Sequence, residues 1–282
     1  MANDKQKTYW SEIAAPKWLR LGGAMEARLA PVSDAVIAQA APRAGERVLD
    51  IGCGAGFTSL EAARAVGPQG RVLGVDIAAP MIEAARKRAE EAGARTVSFM
   101  TGDAQTDLFT PPANVLISRF GVMFFDNPVA AFANLRDSAA PGGRMVFAAW
   151  APLKDNPHWA MPLAVVERLT GPGAPRPAHA SGPLAFDDAD YVLSILHESG
   201  WKNPNVQATR VNLRGKSLDD EARVACFMGP AGALLDEKKA SDAVRAEAFA
   251  TIRAALPEIS SPAPDGGVSL PATIHLLMAN AE

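Results

Sequence analysis

The segment from Val48 to Gly56 reads VLDIGCGAG and places three glycines at alternate positions directly after a short apolar run. Glycine adopts positive φ at no steric cost and lets the backbone approach a ligand closely. Such a loop at the end of a parallel strand is typical of sites that hold a nucleotide-like molecule. A tight strand-to-helix turn is the alternative interpretation, since a glycine loop alone is a weak signal.

Two acidic residues strengthen the first interpretation. Asp76 ends the run VLGVD, about twenty residues beyond Gly56, where a carboxylate accepts hydrogen bonds from ribose hydroxyls. Asp103, in TGDAQ, follows the next apolar run and is placed to accept from the exocyclic amine of an adenine. Capping of the next helix is the alternative for Asp76, and a turn that bonds its own backbone is the alternative for Asp103. Together the three features predict an adenosine-containing cofactor.

The spacing of the glycines indicates which cofactor it is. Dinucleotide-binding turns read G-x-G-x-x-G and meet a pyrophosphate, whereas this loop reads G-x-G-x-G and follows Asp50. An acidic side chain repels phosphate and favours a cationic, amino-acid-like ligand. An NAD(P)-dependent oxidoreductase is the less favoured alternative, because Tyr191 has no lysine four residues on and the only other tyrosine is Tyr9.

The elements that position these residues alternate in type. Helical patterns separate most of the apolar runs, and two of them close at Gly93 and Gly142. Strands that alternate with helices predict a parallel sheet covered on both faces. The five runs are RVLDIG, RVLGVD, TVSFMTGD, NVLISRF and RMVFAAW.

Three regions follow from this pattern. We expect an N-terminal helical extension over residues 1–44, a cofactor-binding core over 45–150 and the remaining sheet over 151–282. The stretch 171–183 is rich in Gly and Pro and is predicted to be a loop. Two further strands, NVQATRVNL and VSLPATIHLLMANA, complete a seven-stranded, doubly wound, mostly parallel α/β sheet as an edge hairpin. Between them, residues 217–256 predict a two-helix insertion, either a lid or an interface.

The motifs VLDIGCGAG, VDIAAPMIEAA, GDA and APGGRMVF, in this order, resemble those of class I S-adenosylmethionine-dependent methyltransferases. The resemblance covers residues 45–150 and implies S-adenosylmethionine as cofactor in a Rossmann-like fold whose last strand is antiparallel. By position it implies a set of cofactor-binding residues: Asp50, Gly52, Cys53, Gly54, Gly56, Asp76, Ile77, Met81, Asp103, Ala104, Ser118, Arg119 and Phe120.

The segments SRFGVMFFDNP and GPLAFDDADYVLSILHESGW resemble the small-molecule branch of ubiquinone/menaquinone-biosynthesis C-methyltransferases. This second resemblance implies methyl transfer, by in-line displacement, to an O, N, S or C atom of a small organic acceptor. A non-catalytic module that only binds the cofactor is an alternative of another class.

Methyl transfer from a sulfonium depends mainly on positioning, so the reaction does not require a strong base. His158, just after the fifth strand, is the best-placed base, and Arg119 is the second candidate catalytic residue. Aromatic faces attract a sulfonium and stack on a flat acceptor, so Phe124, Trp150 and Trp159 are candidate acceptor-binding residues. For each aromatic residue, core packing is the alternative. The histidine and cysteine spacings predict no metal site.

The composition of the chain indicates which classes of partner and which compartment we expect. The net charge of -3, with no basic run, argues against nucleic acid as a partner. The two cysteines, Cys53 and Cys226, form no C-x-x-C pair and suit a reducing compartment. No segment reaches the roughly 20 apolar residues that span a bilayer, and the first residues carry no apolar signal. We expect a cytoplasmic monomer or homodimer.

Overall fold

The computed structural model describes residues 3–282, and within this range eight strands form one sheet. The strand order is β3-β2-β1-β4-β5-β8-β6, with β7 beside β8. Strands β1 to β5 run parallel, and β8 lies antiparallel between β5 and β6. The strands are β1 (Arg47–Ile51), β2 (Arg71–Asp76), β3 (Val97–Thr101), β4 (Ala113–Arg119), β5 (Ala139–Trp150), β6 (Lys202–Gly215), β7 (Ser261–Pro262) and β8 (Val268–Asn280).

Ten α-helices occur in the described residues, together with a π-helix over Tyr9–Ala14 and short 3-10 turns. The α-helices are α1 (Asp4–Thr8), α2 (Ala15–Ala40), α3 (Phe57–Val66), α4 (Ala79–Glu91), α5 (Pro128–Asp137), α6 (Pro157–Thr170), α7 (Ala189–Glu198), α8 (Leu218–Phe227), α9 (Gly229–Glu237) and α10 (Asp242–Ala255). In that same range no helix combines the length and the apolar character needed to cross a bilayer.

The central strands are buried on both faces, as their nearly continuous apolar sequences predict. Val48, Leu49 and Ile51 of β1 are all buried, and so are Leu116 and Ile117 of β4. Successive side chains of a strand point to opposite faces, so helices must cover both sides of the sheet. Because β1 to β5 run in the same direction, their carboxyl ends all lie at one edge of the sheet.

Three details of the predicted fold are wrong. The sheet has eight strands rather than seven, because the two-residue β7 pairs with β8. Helix α5 ends at Asp137 rather than at Gly142, and β5 begins at Ala139. The insertion contains three helices rather than two, since a second break follows α9. The predicted hairpin of the last two long strands is confirmed as the antiparallel pair β6 and β8.

The N-terminal region is helical from Asp4 to Ala40, with a kink at Gly22, where φ is 45° and ψ is -128°. Helix α2 packs against β4, β5 and β6. This packing brings several polar residues of α2 to the sheet. The division into regions 1–44, 45–150 and 151–282 stays a prediction.

The insertion α8 to α10 packs on α6. The loop that follows α6 forms hydrogen bonds with the segment after β4 and with α9. In this loop the Gly182 N–H donates to the Met123 carbonyl at 3.0 Å. The Ala174 N–H donates to Glu237 Oε1 of α9 at 3.1 Å. Residues 171–183, predicted to be a loop, contain neither helix nor strand, and the irregular stretch continues to Asp188.

Candidate cofactor and acceptor site

The three glycines of the loop after β1 all have positive φ, at 63°, 54° and 84° for Gly52, Gly54 and Gly56. A Cβ on Gly52 would lie 2.6 Å from Cα of Gly121, so two backbones meet there with no room for a side chain. A Cβ on Gly54 would meet nothing within 4 Å. The surface above Gly54 is therefore open to a ligand, and only the backbone conformation requires glycine at this position.

Asp76, at the carboxyl end of β2, binds the glycine loop directly. Its Oδ2 accepts the Gly54 N–H at 2.9 Å, and its Oδ1 accepts the Ala78 N–H at 2.9 Å. Burial raises the pKa of Asp76, although these backbone donors act in the opposite direction. The carboxylate thus holds the loop and caps the turn before α4. Its two oxygens retain lone pairs for a ribose, so the two interpretations of Asp76 are compatible.

Asp50, at the end of β1, is completely buried. Its Oδ2 accepts the Ser59 hydroxyl at 2.6 Å, whereas its Oδ1 is buried without a hydrogen-bond partner. Burial raises the pKa of Asp50 to about 7, and the charges of Asp76 and Glu26 act in the same direction. Ser59 and Arg119 lower it. Buried polar atoms are nearly always hydrogen-bonded. The unpaired Oδ1 of Asp50 therefore indicates a hydrogen-bond donor that the described chain does not supply.

A cavity of about 520 Å³ lies beside the ends of β2 and β3. Ile77, Thr101 and Asp103 line one side, and Asn3 and Lys7 of the N-terminal region line another. Its volume falls within the range of small-molecule and cofactor sites. Asp103, predicted to recognise adenine, therefore faces a space of suitable size.

Asn3 lines this cavity and binds Asp103 directly. Its side-chain Nδ2 donates to Asp103 Oδ1 at 2.9 Å, and its Oδ1 accepts the Asp126 N–H at 3.0 Å. The Asn3 N–H also donates to Asp126 Oδ2 at 3.1 Å. The Gln105 N–H also donates a hydrogen bond to Asp103 Oδ1, at 2.9 Å. Asp103 thus has both its turn role and a partner from the N-terminal region.

Met81 of α4 is buried under the N-terminal helices, where Ala15, Trp10 and Trp18 pack against it. Trp10 also contacts Phe124 edge to face, with ring centroids 4.9 Å apart. The N-terminal region thus covers the residue predicted to flank adenine. Cys53 and Ala104, also predicted to bind the cofactor, are buried in the loops that follow β1 and β3.

Ser118 and Arg119 end β4 beside the glycine loop. The Ser118 hydroxyl donates to the Ile51 carbonyl at 2.7 Å and accepts the Gly121 N–H at 3.1 Å. Arg119 Nη2 lies 2.6 Å from Oε2 of Glu26, and its Nη1 donates to Ser33 Oγ at 3.0 Å. Both partners of Arg119 belong to α2. Its guanidinium is thus held by the N-terminal region, which suits a positioning residue.

An aromatic wall made of Phe120, Trp150, His158 and Trp159 stands at the carboxyl ends of β4 and β5. Phe120 has a φ of 66° and stacks on Trp150, with ring centroids 4.2 Å apart and planes 12° from parallel. Trp150 also contacts the rings of His158 and Trp159, at 5.3 Å and 4.6 Å. A left-handed non-glycine residue costs backbone energy and is more frequent at functional sites.

His158 is 3% exposed, and neither of its ring nitrogens makes a well-formed hydrogen bond. Burial lowers the pKa of His158 well below its ordinary value, and the charge of Arg28 lowers it further. The carbonyl of Pro271 acts weakly in the other direction. The lowered pKa favours the neutral imidazole, which has one donor and one acceptor nitrogen, neither of them in a well-formed hydrogen bond.

His275 differs from His158 in its hydrogen bonding. His275 Nδ1 lies 3.1 Å from the Phe186 carbonyl, so His275 is a hydrogen-bonded histidine of the core. Among residues 3–282, no group of three or more His, Cys, Asp or Glu side chains is arranged to hold a metal ion. A smaller cavity of about 220 Å³, lined by Arg136 and Glu282 among others, adjoins Ala139 at the opposite end of β5.

Several polar residues at the site were not predicted. Glu26 and Arg28 of α2 and Glu221 of α8 are buried, as is Asn3. Their sequence contexts resemble ordinary charged helix faces, and their partners come from distant segments. The regular apolar spacing of α2 indicates a helix face packed on the sheet. It is the one local pattern from which burial of the neighbouring Glu26 and Arg28 could have been suspected.

Comparisons with known proteins agree with this geometry. A family model described as "Methyltransferase domain" matches residues 42–170. Nocamycin O-methyltransferase of Saccharothrix syringae is 34% identical over 201 residues, which are 67% of this chain and 71% of that protein. The aklanonic acid methyltransferase DauC of Streptomyces sp. (strain C5) is 46% identical over 107 residues, 38% of this chain and 49% of that one.

The ubiquinone/menaquinone biosynthesis C-methyltransferase UbiE of Burkholderia vietnamiensis (strain G4 / LMG 22486) is 34% identical over 122 residues, 42% of this chain and 50% of that protein. The match thus spans about half the length of DauC and of UbiE. Among solved structures, phosphoethanolamine N-methyltransferase 2 of Haemonchus contortus, in complex with S-adenosylhomocysteine, superposes with a TM-score of 0.58 at 18% identity. It covers 95% of this chain and 57% of that one, and it shows a common fold.

The chain belongs to the class I S-adenosylmethionine-dependent methyltransferases. The predicted fold class, family and cofactor are confirmed. The roles of individual site residues stay predictions. The residues present fit the cofactor, because the open surface above Gly54, the bare oxygen of Asp50 and the cavity at Asp103 lie along one sheet edge.

Proposed function

We propose that the protein transfers a methyl group from S-adenosylmethionine to a hydroxyl oxygen of a small, flat organic acceptor. The observation that carries this proposal is His158, a buried imidazole whose ring nitrogens make no well-formed hydrogen bond, at the same sheet edge as the glycine loop. An O–H group of an acceptor would provide its missing partner. The relative that aligns over two thirds of the chain is named an O-methyltransferase, which supports oxygen as the acceptor atom.

In this proposal the cofactor is held by Gly54, Asp76 and Asp103, with Asp50 at its amino-acid end. When bound, S-adenosylmethionine supplies an electrophilic methyl group on a sulfonium. The aromatic wall offers a flat face on which a conjugated acceptor stacks. Positioning of the two reactants accounts for much of the rate of such a displacement.

His158 accepts the hydrogen bond of the acceptor hydroxyl and receives its proton. While the acceptor oxygen takes the methyl group that bound S-adenosylmethionine would supply, His158 would take the proton of that oxygen. The positive charge that the cofactor brings would then reside on the imidazole, so that atoms and charge balance. Glu221 balances the nearby charge of Arg28, which would otherwise oppose an imidazolium more strongly.

We include the insertion α8 to α10 in the proposal as the cover of the acceptor end. A Cβ on Gly229, at the start of α9, would lie 2.9 Å from Nε1 of Trp159, so this helix lies directly against the aromatic wall. Glu221 of α8 joins α2 through Arg28. Water excluded by this cover would otherwise compete for His158.

The remaining parts of the proposal concern partners. A net charge of -3 supports a small molecule rather than a nucleic acid as acceptor. Two free cysteines support a reducing, cytoplasmic environment. A monomer or a homodimer is proposed.

The test combines the purified protein and S-adenosylmethionine with phenols, enols and carboxylic acids, and follows S-adenosylhomocysteine and methylated product by mass spectrometry. His158→Ala is expected to lower kcat for phenols by about 10²–10⁴-fold. The same variant should act on an ionised carboxylate almost as the wild type does, because that acceptor has no proton to give. His197→Ala, a change at an exposed histidine, is the matched control.

Three outcomes would overturn the proposal or the role that it gives His158. Binding of the cofactor without turnover of any acceptor class would favour the non-catalytic module. Binding of NAD in place of S-adenosylmethionine would favour an oxidoreductase. Equal losses on phenols and carboxylates in His158→Ala would show that His158 only packs.

A further inference from the structure

Asn156, between β5 and α6, has a completely buried side chain whose hydrogen-bond partners are all backbone groups. Its Nδ2 donates to the carbonyls of Ala151, Pro152 and Thr273, at 3.0, 3.3 and 3.0 Å. Its Oδ1 accepts the Thr273 N–H at 3.0 Å. One amide group therefore ties the end of β5 and the strand β8 to the residue that precedes α6.

The side-chain amide of Asn156 extends the pairing of β5 with β8. The last paired residues of that ladder are Trp150 and Ile274. Beyond them the Ala151 N–H donates to the Thr273 carbonyl at 3.2 Å, and Asn156 exchanges a hydrogen bond in each direction with Thr273. A residue of an antiparallel strand pairs with its neighbour in the same way. The start of α6 is thus held where a longer β5 would lie.

The formation of α6 does not by itself account for these contacts. An asparagine before a helix usually accepts a hydrogen bond from an N–H of the first turn. The Asn156 side chain makes no such bond, and its backbone carbonyl instead accepts the N–H groups of Trp159 and Ala160, at 2.9 and 3.0 Å. The side chain is therefore committed to the strands, and it fixes the place of α6 on the sheet.

His158, the second residue of α6, depends on this anchor for its position. A general base is commonly oriented by a hydrogen bond to its second ring nitrogen, but neither nitrogen of His158 has such a partner in the described chain. The rings of Trp150 and Trp159 flank the imidazole, at 5.3 and 5.4 Å, and the backbone sets where its side chain begins. Pro157 is the single residue between Asn156 and His158, and its ring fixes φ at the first helical position.

We propose that Asn156 is a positioning residue, which holds His158 at the carboxyl end of β5, where the acceptor oxygen is to lose its proton. The inference rests on the proposed role of His158 as the base. Because Asn156 is completely buried and its amide is filled by backbone groups, it touches neither the acceptor nor the cofactor. Its effect on the reaction passes through the imidazole.

Kinetics in four proteins test this proposal: the wild type, Asn156→Ala, His158→Ala and the double variant. The acceptors are the phenol and the ionised carboxylate that react fastest with the wild type. Asn156→Ala should lower kcat for the phenol by about 10²-fold, since a misplacement of about 1 Å has an effect of that order, and should leave KM for S-adenosylmethionine nearly unchanged. In the His158→Ala background the same change should have no further effect on kcat. The carboxylate, which has no proton to give, should react almost normally.

The ring signals of His158 in the proton NMR spectrum give a readout that does not require turnover. Ring currents of the neighbouring tryptophans displace these signals, which are assigned by their absence in His158→Ala. Asn156→Ala should move them toward the position of the exposed His197. Asn114→Ala is the matched control, because Asn114 Oδ1 accepts the Arg47 N–H at 2.9 Å at the opposite edge of the sheet. This control should lower the melting temperature and leave both kcat and the His158 signals unchanged.

Equal losses of kcat from Asn156→Ala with and without His158, or unmoved His158 signals in Asn156→Ala, would overturn the inference. If the wild type methylates no acceptor, the proposed function fails, and the NMR comparison still decides whether Asn156 fixes the imidazole. Asn156→Asp keeps the volume and the bond from Thr273 but loses the three donor contacts. If Asn156→Ala does not fold, the same measurements on Asn156→Asp decide.

Discussion

Arg28 on α2 and Glu221 on α8 meet across 193 positions of sequence in a buried ion pair. The Arg28 Nε lies 3.1 Å and 3.0 Å from the two carboxylate oxygens, and its Nη2 lies 2.9 Å from Oε2. The pair joins the N-terminal region to the insertion beside His158. Neither side chain reaches water appreciably, since they are 8% and 5% exposed.

Removing one partner should be costly. Glu221→Gln leaves the Arg28 charge buried without its counter-ion, and we expect a loss of about 3–5 kcal/mol in the free energy of unfolding. Urea unfolding measures this loss. The double variant Arg28→Met with Glu221→Leu should recover most of it. Asp219→Asn, which breaks a half-exposed pair with Arg253, should cost under about 1 kcal/mol. Equal effects of the two single variants would show that the buried pair is not structural.

Asp76→Ala should weaken binding of S-adenosylhomocysteine by roughly 1–3 kcal/mol, because the ribose loses a charged acceptor. It should also lower the melting temperature, since the N–H groups of Gly54 and Ala78 lose theirs. Calorimetry and thermal unfolding test the two effects separately. Asp155→Ala, at an exposed position, is the control. A lower melting temperature at unchanged affinity would limit Asp76 to shaping the turn.

The pH dependence of stability should reveal Asp50 in the free protein. Because its folded pKa is raised from 3.8 to about 7, its contribution to stability is fully present below pH 4 and is lost as pH rises through 7. Asp50→Asn cannot ionise and should therefore melt higher than the wild type at pH 8, by on the order of several degrees. The difference should shrink at pH 5.

His158 titrates with the opposite sign, since its depressed pKa makes stability fall in acid. His158 is present in both the wild type and Asp50→Asn. Comparing the melting temperatures of the two proteins at each pH therefore cancels the contribution of His158. A pH-independent difference in melting temperature between them would mean that the free protein holds Asp50 ionised.

Asn3→Ala should weaken cofactor binding by about 0.5–1.5 kcal/mol, because Asp103 loses a donor that fixes its carboxylate at the cavity. In an Asp103→Ala background the same change should have little effect. The double-mutant cycle, measured by calorimetry with S-adenosylhomocysteine, gives the coupling between them. Additive effects would separate Asn3 from adenine recognition.

A sequence pattern finds a site residue when the residue ends a strand. Asp50, Asp76 and Trp150 were placed correctly at the sheet edge because parallel strands bring their carboxyl ends together, whatever their separation along the chain. Glu26 and Glu221 escaped prediction because a charged residue on an amphipathic helix is usually solvated. Their burial depends on a tertiary partner that no local pattern specifies.

The start of β5 shows a second limit. Residues Ala139 to Gly143 contain Pro141 and two glycines, a combination typical of a turn, and the sequence therefore predicted the end of a helix there. In the structure they extend β5, and its pairing with β4 shifts register between Ala113 and Val115. An irregular pairing at a strand's beginning tolerates residues that a regular ladder excludes.

The place of β8 has a consequence for the order in which the protein assembles. Strand β6 joins the sheet through β8 alone, although residues 216–267 separate the two strands in sequence. On a growing or refolding chain β6 has no ladder partner until β8 is present, whether β8 pairs first with β5 or with β6. Closing so long a connection is entropically slow, and folding of α8 to α10 shortens the distance the ends must search. Until β8 pairs with it, the fourteen-residue β6 leaves its backbone groups open to pairing with other chains.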